Sequence, residues 1–257
     1  MKPFRYLLLC WAAVMPWMQA SADSISLRGD EWYPFNGTPG DGKPGYMVEL
    51  AQLAWGKAGH RVDYQLLDWD ESVSQAQEGR VDCVVGAFRN DAPGLLFPKE
   101  AQGADYVGFF AVVDRFDWSY TGTPSLAGKK IGVISGYGYG DEIDAYLKTP
   151  QAKKHVHVAS GDKPLDDLTS MLMGGKIDLL LESPSVFKAK VKNLGLRVVF
   201  EELDRVSDPE GVYIACSPKN SASKRYLELL EAEVTRLRQS GELRTLMAKY
   251  GLRDWKK

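Results

Sequence analysis

The 257-residue sequence is poor in cysteine and histidine, with three of each. That scarcity excludes a disulfide-built scaffold and a zinc cluster of the usual Cys/His spacing. His155 and His157 stand two apart in a strand-like run without a third ligand nearby, which reads as a solvated strand face and not a metal site. No sign of charge dominates either: 32 Lys and Arg oppose 34 Asp and Glu. The basic surplus that nucleic-acid binding draws on is missing, so nucleic acid is not an expected partner. There is no proline- or serine-rich linker and no low-complexity tract. Past the N-terminal segment, no apolar run is long enough to span a bilayer.

What is present begins with that N-terminal segment. Lys2 and Arg5 precede "YLLLCWAAVMPWM" and then "QASAD". A basic start, an apolar stretch and an Ala-x-Ala site read as a signal peptide over residues 1–22, cleaved near Ala22. Its removal takes away two basic and no acidic side chains, leaving a mildly acidic chain. Only Cys83 and Cys216 then remain. An oxidising compartment would allow one bridge between them, but the simpler reading is two buried thiols behaving as small apolar side chains.

Apolar runs and helical periods alternate along the rest. "SISLRGD", "RVDYQLL" and "VDCVVGAF" read as strands, separated by helices in "GYMVELAQLAWGKAG" and "WDESVSQAQEG". The series restarts with "KKIGVISG", "HVHVAS" and "IDLLLE", again separated by helices. A β-rich run, "ADYVGFFAVVD" or "GVYIACSP", follows each unit, and two amphipathic helices end the chain. The predicted fold class is α/β with two lobes joined by two extended crossings. Lobe 1 is expected at 23–112 and 212–257, with lobe 2 at 113–211.

Six segments in this order, "DEWYPFNG", "GYMVELAQLAWGKAG", "EGRVDCVVGAF", "GKKIGVISGYGYG", "GGKIDLLLESPSV" and "RQSGELRTLMAKYGL", resemble the extracellular solute-binding proteins of family 3. These are periplasmic, polar-amino-acid type receptors of ABC importers, and the resemblance spans essentially the whole chain after the signal peptide. It implies a type II clamshell, like the periplasmic binding proteins, in which the strand after each crossing joins the opposite lobe's sheet. That topology would set Cys216 beside Cys83. We expect proximity but not a bond, because bridges between adjacent strands oppose the sheet geometry.

The resemblance also implies where a ligand would sit. Trp32 matches an aromatic ring that stacks on the ligand, with Glu31 beside it, while Trp69 at a strand-to-helix turn is a second wall. Gly86 ends the third strand at the same edge. Relatives that bind α-amino acids carry an arginine clamp after that strand; here Ala92 stands at the matching position, and Arg89 is the nearest basic substitute. The loop Gly136, Tyr137, Gly138, Tyr139 aligns with a backbone N–H cradle at a helix start, and so is expected to meet one small carboxylate or a polar neutral group. It is neither a dinucleotide fingerprint nor a P-loop, and Asp141 and Glu142 would repel phosphate. Many relatives place an aspartate where Ser183 stands, to hold an α-ammonium; Glu182, one residue away, could replace it.

These readings give a monomeric periplasmic protein that captures a small polar solute, amino acid or amine-like, and delivers it to an ABC permease without cofactor, metal or catalysis. Two alternatives stay open. One is an enzyme of the cyclohexadienyl or arogenate dehydratase kind, with Glu182 or Glu31 as a buried acid. The other is a ligand-sensing accessory protein with no transporter.

Overall fold

A computed structural model describes residues 22–115, 117–196 and 200–256. The signal peptide expected at the N-terminus lies outside the described residues. Two five-stranded sheets form the cores of two lobes. In the first, β1 (Ser24–Gly29), β2 (Arg61–Leu66) and β3 (Cys83–Ala87) run parallel, with β4 (Gly103–Asp105) and the late strand β10 (Glu210–Cys216) completing the order β2-β1-β3-β10-β4. In the second, β6 (Ile131–Ile134), β7 (Val156–Ala159) and β8 (Leu179–Glu182) are parallel, and β5 (Gly108–Val112) and β9 (Phe200–Arg205) give the order β7-β6-β8-β5-β9. Each lobe thus carries one strand that arrives after a crossing: β10 is antiparallel to β3, and β5 is antiparallel to β8.

The local sequence explains these elements. β1 alternates, burying Ile25 and Leu27, whereas every residue of β8 is buried between helices, as its unbroken apolar run requires. Helix α1 (Tyr46–Lys57) turns Met47, Val48, Leu50, Ala51, Ala54 and Trp55 inward. Asp68 caps α2 (Trp69–Glu78) by accepting from Glu71 N, and Gly79 ends it in the left-handed region at φ 83°. In the second lobe, α3 (Asp141–Leu147), α4 (Pro164–Met173) and α5 (Pro184–Asn193) follow β6, β7 and β8, and the Ser183 hydroxyl caps α5. Helix α6 (Ser223–Ser240) brings Leu227, Leu230, Val234 and Leu237 back onto the first lobe, where the Trp55 indole donates to Tyr226 O at 2.9 Å, and α7 (Glu242–Lys249) follows it. No helix among the described residues is long and apolar enough to cross a membrane.

Two expectations are corrected. The run "ADYVGFFAVVD" crosses between the lobes as expected, but the crossing comes earlier than residue 112. It breaks at Tyr106–Val107, and β5 pairs with β8 and β9, so the chain enters the second lobe before residue 112. It returns just after Arg205, since Glu210 and Gly211 already pair with β4. Val206 N donates to Val107 O at 2.9 Å, tying the two crossings together. The second correction concerns the thiols: Cys83 and Cys216 are bonded, with S–S 2.04 Å and Cα atoms 3.9 Å apart. They are directly opposed in register, and Cys216 spends both backbone groups on Leu96. They therefore form a non-hydrogen-bonded antiparallel pair, the arrangement that brings facing side chains closest.

Candidate functional site

The carboxyl ends of the parallel strands of both sheets converge on one cleft, the place where open α/β sheets bind ligands. The closed cleft holds about 430 Å³ of space between atoms, open solvent at its mouth included. The first lobe contributes Asp30 and Trp32 after β1, Trp69 at the start of α2, and Gly86, Phe88 and Asp91 at the end of β3 and beyond. The second contributes Tyr137, Gly138 and Tyr139 after β6, and Glu182 and Ser183 at the end of β8, while Tyr106 and Val107 of the first crossing form the hinge side.

Side chains bond across this cleft. Trp32, 5 % exposed and stacked on Phe35 at 4.5 Å, donates its indole N–H to Glu182 Oε1 at 3.0 Å. The Tyr137 hydroxyl donates to Asp30 Oδ2, and Ser135 Oγ donates to Asp70 Oδ2 at 2.9 Å. Ser183 Oγ donates to Asp105. The lobes are therefore closed on one another.

The electrostatics are unusual for their one sign. Glu182 is 2 % exposed, and its Oε1 also accepts from Ser183 N at 2.7 Å. Its Oε2 is buried without a hydrogen-bond partner. Burial, reinforced by the charges of Asp30 and Asp105, pushes its carboxyl up to about 8. Burial also lifts Asp30 to about 6 against the Tyr137 hydrogen bond, and raises Asp91 well above the ordinary carboxylate range. Among the described residues, no Lys, Arg or His lines the cleft. No group of three or more His, Cys, Asp or Glu among the described residues is arranged to hold a metal ion.

Of the residues singled out in the sequence, the structure brings Trp32, Trp69, Gly86, Tyr137, Gly138, Tyr139 and Glu182 together on the cleft. Three lie elsewhere. Arg89 turns away: it donates to Pro98 O at 2.9 Å and its guanidinium stacks 4.9 Å from the Phe97 ring and 4.5 Å from the Tyr213 ring. Its neighbour Phe88 faces the cleft instead, as alternation along an extended segment dictates. Glu31 faces an adjoining recess and approaches Lys190 at 3.7 Å. Gly136, at φ 76°, packs against α2, where an added Cβ would fall 2.0 Å from Asp70 Oδ1. Its role is to let the two lobes touch.

The loop expected to cradle a carboxylate has its donors occupied. Tyr139 N donates to Asp144 Oδ1 at 2.9 Å and Tyr137 N to Ile134 O at 3.4 Å. The Tyr139 hydroxyl accepts from Ile134 N at 2.7 Å, bracing the loop on its own strand. Asp91, Phe88 and Tyr106 were missed in the sequence. Asp91 lies in the same short loop as Arg89 and was the only other signal there.

No family model matches the sequence. A probable amino-acid-binding protein, YxeM of Bacillus subtilis (strain 168), is 22 % identical over 226 residues, covering 85 % of this chain and 80 % of that protein. Among solved structures, a histidine kinase sensor domain with similarity to periplasmic binding proteins superposes with TM-score 0.70 at 22 % identity, covering 90 % of this chain and 98 % of that one. An ancestral arginine-binding protein bound to arginine gives 0.70 at 18 % identity, covering 88 % and 97 %. The chain has the periplasmic-binding-protein fold. A third neighbour, an ABC uptake transporter substrate-binding protein from Streptococcus pneumoniae with bound histidine, gives 0.72 at 17 % identity over 88 % and 92 %. Both lobes furnish the walls of the inter-lobe cleft.

Proposed function

We propose that the protein is a periplasmic solute receptor that captures a small polar solute, amino acid or amine-like, by closing its lobes, and presents the closed form to an ABC importer. The observation that carries this reading is the Trp32–Glu182 bond at 3.0 Å, which joins the lobes across a cleft that neither could form alone. Ligand contacts made by both lobes would favour the closed state over the open one. The names of the similar proteins, an amino-acid-binding protein and transporter substrate-binding proteins, support the same class.

A sensing role is the second reading, favoured by the likeness to a kinase sensor domain. An enzymatic role has less support. A dehydratase acting on cyclohexadienyl carboxylates needs a cation for the carboxylates, and the cleft lining contains none. A thermal-shift screen of amino acids, amines, short peptides and organic acids, followed by solution scattering on the hits, tests the receptor reading. Compaction with a raised Tm is the expected result; a library that leaves both unchanged overturns it. Co-purification with permease components rather than a kinase would separate transport from sensing.

A further inference from the structure

Resting on the receptor reading, we propose that the cleft takes a small organic cation that carries no carboxylate, held by Asp30, Asp91 and Glu182 inside a box of aromatic rings. Among the described residues, the lining holds three carboxyl groups, six aromatic rings and no basic side chain. Aromatic faces attract cations through the negative charge of their π faces. Glu182 Oε2 is a buried acceptor without a partner, ready for an N–H or an ammonium head.

The second line of argument is what has become of the anion-binding groups. The donors placed to receive a ligand carboxylate are spent within the protein: Tyr139 N on Asp144, Tyr137 N on Ile134 O, and the Tyr137 hydroxyl on Asp30. The following helix opens with Asp141, Glu142 and Asp144. Arg89 is committed to Pro98 and two rings outside. Lys190, in the adjoining recess, pairs with Asp166 at 2.8 Å and approaches Glu31. A ligand carboxylate entering here would meet three acids, with the nearest lysines, Lys163 and Lys190, in the adjoining recess, whereas an ammonium would compensate charges that are now costly to bury. A cation beside Asp30 and Glu182 would lower the carboxyl groups that burial raises.

Matched pairs that differ by one carboxylate test the proposal: agmatine with arginine, putrescine with ornithine, and histamine with histidine, titrated calorimetrically into the purified protein, with choline as a quaternary probe. The expected result is that at least one amine or choline binds, any binding amine ten-fold or more tighter than its amino-acid partner. Glu182→Gln and Asp91→Asn should each weaken that binding ten-fold or more. An amino acid that binds as tightly as its amine and compacts the protein overturns the proposal while leaving the receptor reading intact. Binding of none of the cations overturns it too. If anionic and neutral solutes also fail to compact the protein in scattering, the receptor reading falls with it. The wild-type comparison decides the matter even if a variant fails to fold.

Discussion

Trp32 and Glu182 lie 150 residues apart in the chain, yet the indole N–H of one donates to the carboxyl of the other at 3.0 Å across the cleft. Each stands just past or at the end of a parallel strand, one in each lobe. Their bond therefore exists only while the lobes are shut, and it links ligand capture to closure.

Trp32→Phe keeps a ring against Phe35 but deletes the donor. A buried hydrogen bond of this kind contributes about 1 kcal/mol, so Kd should rise about five- to ten-fold. Trp32→Ala, which also removes a wall, should cost more. Calorimetry on both variants checks this, and two unchanged affinities would take Trp32 out of the site.

Closure should depend on pH. Glu182 rises to about 8 and Asp30 to about 6 because the closed cleft withholds water, and opening returns both toward 4.5 and 3.8. The closed form then binds more protons between those limits. Its advantage is complete below the open-state values and is lost as pH rises through about 6 and then about 8. The ligand-free protein should be more compact at pH 5 than at pH 9 by scattering, with a lower Tm at the alkaline end. Glu182→Gln should remove the upper step. Identical scattering curves at both pH values would contradict this account.

Arg89→Ala separates packing from binding. The guanidinium braces Phe97, Tyr213 and Pro98 O and touches nothing in the cleft. Ligand affinity should stay within about two-fold, while Tm falls by several degrees from the lost stacking and hydrogen bond. A large loss of affinity at unchanged Tm would return Arg89 to the binding site.

The Cys83–Cys216 bridge closes a long loop, with 133 residues of sequence separation. Bridges commonly contribute about 2–4 kcal/mol, chiefly by restricting the unfolded chain, and a protein of this size shifts about 2–4 °C per kcal/mol. Reduction, or Cys83→Ser with Cys216→Ser, should lower Tm by roughly 5–15 °C. Mass spectrometry with and without reductant, paired with calorimetric melting, reads both the bond and its effect.

The parallel strands and their helices were legible because apolar runs such as "IDLLLE" and faces such as Met47–Leu50–Ala51–Ala54 are local signals. The place of the first crossing was not. "ADYVGFFAVVD" passes from one sheet to the other while staying extended at Tyr106–Val107, and no turn residue separates the two strands there. The same distinction runs through the site. Trp32, Tyr137 and Glu182 stand at strand ends, where position follows from the strand itself. Asp91 and Arg89 share one short loop, and which of them faces inward depends on how that loop folds against β10, through Tyr213 and Phe97. Nor does the cysteine pairing follow from composition, since it needs the knowledge that Cys216 gives its backbone groups to Leu96 and its side chain to Cys83.

Because the sulfurs join a strand that precedes the first crossing to the strand that follows the second, the entire second sheet with its helices rides on a covalent ring. A single protease nick anywhere on that ring would leave the molecule in one piece. The cut would show itself on a gel only after a thiol had been added.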